Sequence, residues 1–272
     1  MEAATVSPLY VKSALRGAVL AGYNPEEILR AQGLPPELLN NPRLRISTLA
    51  FAGLSRALTG LLRDESVGLL AEPVPVGGFA LMAKVGLSSL TVLESLKGWR
   101  DASNWMSRSV SAYTLFDQYG GYIAFACRKA KHVEDNYVVE SLMTTCHRYH
   151  CWLANEFLPI ERVDLAYPAP EYASEHRFVF YGAPVHYDQK RNALHFSRKT
   201  LEQENFRSRE DLAELLSKPM VQIMTQPRQS NTTAIKVRLW MERLFREGGG
   251  LPLLEEASAH LGLTEQTLRR HL

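Results

Sequence analysis

The feature that most constrains the fold is a change of hydrophobic period near residue 108. Before it, apolar residues recur at three-to-four spacing, as in ISTLAFAGLSRALTGLLRD (46–64) and SLTVLESLKGWRDASNWMS (89–107), which predicts short helices across 7–107. The punctuation agrees: Asn24-Pro25-Glu26-Glu27 reads as an N-cap, a first-turn proline and two acids at the positive end of a helix dipole, and Gly33-Leu34-Pro35-Pro36 ends that helix. After it, SVSAYTLF (109–116) and YIAFAC (122–127) flank Asp117-Gln118-Tyr119-Gly120-Gly121, whose glycines suit a hairpin loop. A long helix is expected over 134–157, a strand over 162–167, a helix over 171–181, strands APVHY and NALHFS around the polar turn 188–192, and a helix over 209–226. The expected class is α+β: a mostly helical N-terminal domain with a small antiparallel β part, followed by an all-α C-terminal piece.

The polar, proline-containing stretch from Gln226 to Thr233 reads as a linker, which divides the chain into a domain over 1–226, a linker over 227–231 and a second domain over 232–272. With 46% hydrophobic and 22% charged residues, neither disorder nor a fibrous repeat is indicated. A net charge of +2 is too mild to mark a nucleic-acid binder, so any such role must come from geometry. The odd set Cys127, Cys146 and Cys151, the lack of an apolar leader and the lack of a membrane-spanning run lead to the expectation of a cytoplasmic protein with no membrane partner.

The most specific local pattern is LPLLEEASAHLGLTEQTLRRHL (251–272). Leu253 or Leu254, Ala257 and Leu261 form one helical stripe, Gly262 supplies a left-handed helix end, and Thr264 is a natural N-cap for a second helix. Leu268 packs inward while Gln266, Arg269 and Arg270 project. Such a helix-turn-helix offers a glutamine able to pair with adenine and arginines able to grip guanine or phosphate. A helical hairpin with a glycine turn and no DNA role fits the same residues.

The spacing from Ala257 to Arg270 resembles the first helix-turn-helix of AraC/XylS transcription regulators, and TTAIKVRLWMERLFREGGG (232–250) resembles the helix and loop before it. The resemblance implies DNA contacts from Thr264, Gln266, Thr267, Arg269 and Arg270. It also implies a DNA domain about twice as long, so that the chain ends within the first recognition helix and binds an operator fully only in a longer form. Residues 232–272 hold six basic and five acidic residues, a net of +1, which places most phosphate-binding charge elsewhere. LAEPVPVGGFALMAKVGLSSLTVLESLKGW (70–99) and FLPIERVDLAYPAPEYASEHRFVFYGAPVHYDQKRNALHFSRKTLEQ (157–203) resemble the arabinose-binding-like sensor domain of the ornithine-utilisation-regulator type. This implies a small-molecule effector, without fixing a sugar; a homodimer is also expected, with the helix over 209–226 as one candidate for its interface.

Candidate ligand residues are Trp105, Tyr113, Phe125, Tyr137 and His147, within a wider aromatic set of Trp99, Phe116, Tyr122 and Trp152. Plain core packing accounts for the same rings. Gly77-Gly78 invites a phosphate-cradle reading, but without a flanking strand or a Lys-Ser/Thr it reads better as a loop-to-helix turn. In Cys146-His147-Arg148-Tyr149-His150-Cys151 two Cys/His pairs share helix faces, yet a closed zinc site wants four ligands. The bland alternative is buried cysteines with histidines near the surface or lining a pocket, and no metal or other cofactor is expected. Asp135, Glu140 and Glu156 follow solvent-facing spacing, and no catalytic motif appears, so the chain is not expected to be an enzyme. The reading is a DNA-binding regulator controlled by an effector; a small-molecule-binding protein or enzyme with no DNA role is the alternative.

Overall fold

The computed structural model describes residues 5–224 and 252–271, together with positions 237, 240, 241 and 244. The chain divides into two compact units, one of residues 1–154 and 158–226, the other of 227–272 with 155–157. The expected linker over 227–231 and most of the helix over 232–250 lie outside the described residues, although positions 237, 240, 241 and 244 are helical.

The first unit is α+β. Helices α1 (Pro8–Leu20), α2 (Pro25–Ala31), α3 (Thr48–Leu62), α4 (Gly78–Leu87) and α5 (Val92–Met106) precede the hairpin β3 (Val110–Phe116) and β4 (Gly120–Cys127). A two-residue ribbon, β1 (Thr5–Val6) with β2 (Ile46–Ser47), ties the N-terminus to the start of α3. The caps explain the helix starts. Ser7, Asn24, Ser47 and Thr91 each accept a backbone N–H from the first turn that follows, and Pro8 and Pro25 occupy first helical positions where no N–H is needed.

Then come α6 (Tyr137–Leu153), β5 (Arg162–Asp164), α7 (His176–Val179), β6 (Val185–His186), β7 (Asn192–Ser197), α8 (Arg198–Leu201), α9 (Arg209–Ser217) and α10 (Pro219–Met224). The sheet order is β3-β4-β7-β5-β6. Its pairs are antiparallel except β5 with β6, which run parallel, so the β part is not wholly antiparallel. One face, including Ala112, Ile123, Phe125, Leu194 and Phe196, is buried, and α5 and α6 pack on the sheet. The helix expected over 171–181 is a 3₁₀ turn (Ala173–Glu175) followed by the short α7. The helix expected over 209–226 breaks at Pro219, which begins α10 because proline is tolerated only in a first turn. Leu212, Leu215 and Ile223 of these two helices are buried, with α10 packed on α3 and α6.

Glycine is required where α1 meets the loop after α3. A Cβ on Gly17 of α1 would sit 1.9 Å from the Val67 carbonyl oxygen, so α1 and the loop behind α3 touch backbone to backbone.

In the second unit α11 (Leu254–Leu261) and α12 (Glu265–His271) enclose a small core of Val237, Ala257 and Leu268, with Trp240, Met241, Leu254, Leu261 and Leu263 packed against it. Leu254, not Leu253, carries the inward stripe; Leu253 is exposed.

Candidate functional site

Two sites stand out, one in each unit. In the second unit the turn between α11 and α12 is built from two adjacent signals. Gly262 takes φ 65° and ψ 29° at the end of α11, and the Leu263 N–H donates to the Ser258 carbonyl at 2.9 Å, closing a Schellman-type end. Thr264 then caps α12, its Oγ1 accepting the Thr267 N–H at 3.2 Å and lying 2.9 Å from the Thr267 hydroxyl. Leu268 is fully buried, which turns the opposite face of α12 outward. Thr264, Gln266 and Arg269 are exposed and Thr267 is half-buried; the Arg270 side chain lies outside the described residues. Arg269 leans on Glu265 at 3.6 Å, an exposed pair of little energetic weight that leaves the guanidinium free to move.

In the first unit the least expected feature is Glu140. Its position on α6 reads as solvent-facing in the sequence, but the residue is 1% exposed because α6 is enclosed on several sides, and its carboxylate is the hub of a hydrogen-bond cluster. Tyr10 Oη donates to Oε2 at 2.8 Å, while Tyr167 Oη and Tyr172 Oη donate to Oε1 at 2.7 and 3.1 Å. His176 Nε2 lies 3.2 Å from Oε1 and, facing a carboxylate, donates; its Nδ1 meets the Tyr187 hydroxyl at 2.9 Å. Burial first, and the nearby Glu140 carboxylate second, push the Tyr10, Tyr167 and Tyr172 hydroxyls well above the usual phenol range, which keeps them donors. The rings assemble around the hub: Tyr10 packs on Tyr137 and Tyr172, Phe51 meets Tyr137 edge-on, and His176 stacks on Tyr187.

The two Cys/His pairs of α6 do share helix faces, but their atoms are engaged locally. His147 Nε2 lies 2.8 Å from the Leu158 carbonyl, whose residue returns its N–H to Cys151 Sγ at 3.4 Å, so the pair fixes the chain leaving α6. His150 Nδ1 is 2.7 Å from the Cys146 carbonyl and its Nε2 is 3.0 Å from Ser95 Oγ. Both histidines are buried rather than near the surface, and burial pushes each imidazole down to about 4. Burial also pushes the Cys146 thiol well up, the opposite of a metal-ready thiolate. Among the described residues no group of three or more His, Cys, Asp or Glu is placed to hold a metal ion.

The other candidate residues have separate surroundings. Phe125 is in the sheet core and His147 packs against Tyr181 and Phe196. Tyr113, on the outer sheet face, lies under Arg191, and Trp105 is 86% exposed at the end of α5. Tyr137 alone of the five belongs to the Glu140 shell. Of the wider set, Trp99 stacks on Tyr149 at 4.9 Å between ring centroids, and Trp152 packs on that same tyrosine. Gly77 and Gly78 do open a helix, α4, but the Gly77 and Phe79 N–H groups are taken by the Glu65 carboxylate at 2.8 and 2.7 Å. A carboxylate of the chain itself therefore fills the place a phosphate would need.

Among the described residues no helix is long and apolar enough to cross a membrane. Residues 22–205 match the family model described as the arabinose-binding domain of AraC transcription regulators, N-terminal. The chain is similar to the ornithine utilization regulator of Pseudomonas aeruginosa, 22% identical over 252 residues that span 92% of this chain and 73% of that one. A solved structure, the transcriptional regulator CdpR from Pseudomonas aeruginosa, aligns with 97% of this chain and 77% of its own at 16% identity and a TM-score of 0.36.

Proposed function

Because this chain belongs to the family of AraC transcription regulators that carry the N-terminal arabinose-binding domain, we propose that it couples effector sensing by residues 1–226 to operator reading by residues 232–272. The observation that carries the DNA half is the turn Gly262-Leu263-Thr264, which buries Leu268 and leaves Gln266 and Arg269 outward on α12. In this reading Gln266 and Arg269 meet base edges in the major groove, Thr264 and Thr267 fix the helix start against the backbone, and Arg270 adds a phosphate or base contact. The sensing half is supported by the family match across 22–205 and by a buried polar cluster at Glu140. Of the ring residues singled out in the sequence, Tyr137 is the one we place at the effector site, because Trp105, Tyr113, Phe125 and His147 have separate surroundings. The effector acts by unequal affinity for two arrangements of a homodimer, which gives paired reading heads a fixed spacing. No catalytic step belongs to this account.

The experiment is selection of binding sites from a random duplex library with the full-length protein. The expected result is one enriched motif, present as two spaced half-sites and lost with Arg269→Ala; recovery of no motif, or the same motif from the variant, overturns the DNA half. Sedimentation that finds a monomer at high concentration overturns the dimer.

A further inference from the structure

The carboxylate of Glu140 is fully hydrogen-bonded, but among the described residues its one basic partner is the His176 imidazole and no guanidinium or ammonium group reaches it. Its recorded partners are three phenol hydroxyls and one imidazole, and among the described residues no lysine or arginine pairs with it. The acids nearby are treated differently. Asp164, 6% exposed, takes Arg162 at 2.5 Å and His195 at 2.9 Å, and Glu175, one residue before His176, is gripped at two points by Arg45 at 2.7 and 2.8 Å. Guanidinium is thus available in this part of the fold and is absent only from the most deeply buried of the three. A buried carboxylate without a lysine or arginine partner lacks the strong charge-assisted hydrogen bonds that such a cation gives in low dielectric.

What surrounds Glu140 is suited to a cation from outside. Three phenol hydroxyls already converge on the carboxylate, and tyrosine rings are among the side chains that bind ammonium groups in aromatic cages. Tyr10 and Tyr137 come from α1 and α6, whereas Tyr167 and Tyr172 stand half-buried on the irregular segment between β5 and α7, where the cluster meets the surface. A phenol on such a segment is a donor that can be exchanged, and a charge-assisted N–H donor is the stronger one.

We propose that Glu140 with the rings of Tyr10, Tyr137, Tyr167 and Tyr172 is the seat for the ammonium group of a small cationic amine, which displaces a phenol donor from the carboxylate. This rests on the sensor reading above and names the effector's class. The amine neutralises the buried charge, and the displaced Tyr167 or Tyr172 moves the segment between β5 and α7, which gives binding a mechanical consequence within the unit.

The test uses the whole chain and two matched pairs of probes: 1,4-diaminobutane against 1,4-butanediol, and choline against 3,3-dimethylbutanol. Calorimetry and thermal shift are expected to show saturable binding of at least one cation and none of its neutral partner. Glu140→Gln, which keeps the shape and removes the charge, is expected to weaken that binding at least tenfold. Tyr172→Phe keeps the ring and removes a competing hydroxyl, so it is expected to bind the amine about three- to tenfold more tightly, a direction that a purely structural cluster does not produce. If Glu140→Gln fails to fold by circular dichroism, Tyr172→Phe and Tyr167→Phe carry the test. No binding of either cation, equal binding of the neutral partners, or unchanged affinity in the variants overturns the proposal. A neutral or anionic effector that alters operator binding would overturn this site and leave the regulator reading standing; amine binding without sequence-specific DNA binding would do the reverse.

Discussion

Tyr10 and Glu140, 130 residues apart in the chain, are joined by a buried 2.8 Å hydrogen bond that fastens α1 to α6. The same carboxylate takes hydroxyls from Tyr167 and Tyr172, so three separated stretches of sequence converge on one side chain. That convergence makes Glu140 both a structural hub and the natural place for a ligand to be felt, because any molecule that alters its partners acts on all three stretches at once.

Removal of the hub is expected to be far more costly than removal of one spoke. Tyr10→Phe deletes one donor and should lower unfolding stability by about 1–2 kcal/mol, whereas Glu140→Ala strands several buried donors and should cost about 3–5 kcal/mol. Urea denaturation followed by circular dichroism distinguishes the two; equal losses would mean that the cluster is not cooperative.

At Gly17 the outcome follows from space alone. Alanine there requires α1 to retreat from the Val67 carbonyl, which the added Cβ would otherwise approach to 1.9 Å, so despite alanine's better helix propensity the variant should lose about 2–3 kcal/mol. A melting temperature at or above that of the unsubstituted protein would contradict the close approach of the two backbones.

Acid sensitivity should trace to α6. His147 and His150 are pushed by burial from 6.5 down to about 4, so between those values the unfolded chain binds protons that the folded chain does not. Stability from this source is therefore complete above about pH 7, falls as the pH drops toward 4 and levels off below, each histidine contributing on the order of 3 kcal/mol. His147→Gln, which preserves a donor toward Leu158, should flatten the dependence of melting temperature on pH. Parallel curves for variant and parent would remove His147 from the account.

The reading helix offers a separation of stability from recognition. Thr264→Ala removes the cap of α12 and should destabilise the second unit by about 1 kcal/mol, while Gln266→Ala, at an exposed position, should leave stability within about 0.5 kcal/mol and relax base preference at one operator position. Paired melting and binding-site selection measure both; a stability loss in Gln266→Ala with unchanged base preference would place that side chain in packing instead of readout.

Local signals were legible in the sequence and convergent ones were not. The hairpin over 110–127, the Asn24 cap and the Gly262-Thr264 turn are each written within a few residues, where alternation, proline and glycine act directly on the backbone. The placement of β7 between β4 and β5, and the parallel pairing of β5 with β6, depend on contacts between distant stretches that no local period encodes. Glu140 is illegible for the same reason: α6 is enclosed on several sides, so a charged residue at what looks like a solvent position is inward, and its partners lie far away in sequence. Pro219 breaks the helix expected over 209–226 even though the apolar spacing continues through it, because the local backbone constraint of proline outweighs the side-chain period.

Coupling between the two units is the centre of the account, and one titration tests it most directly. Operator affinity of the full-length protein is measured with and without a saturating small molecule that stabilises the chain, and the small molecule's affinity is measured with and without operator. The expected result is a change of about five- to a hundredfold in operator affinity, matched by the same factor in effector affinity, as linkage requires. An operator affinity that stays constant at saturating effector would contradict it.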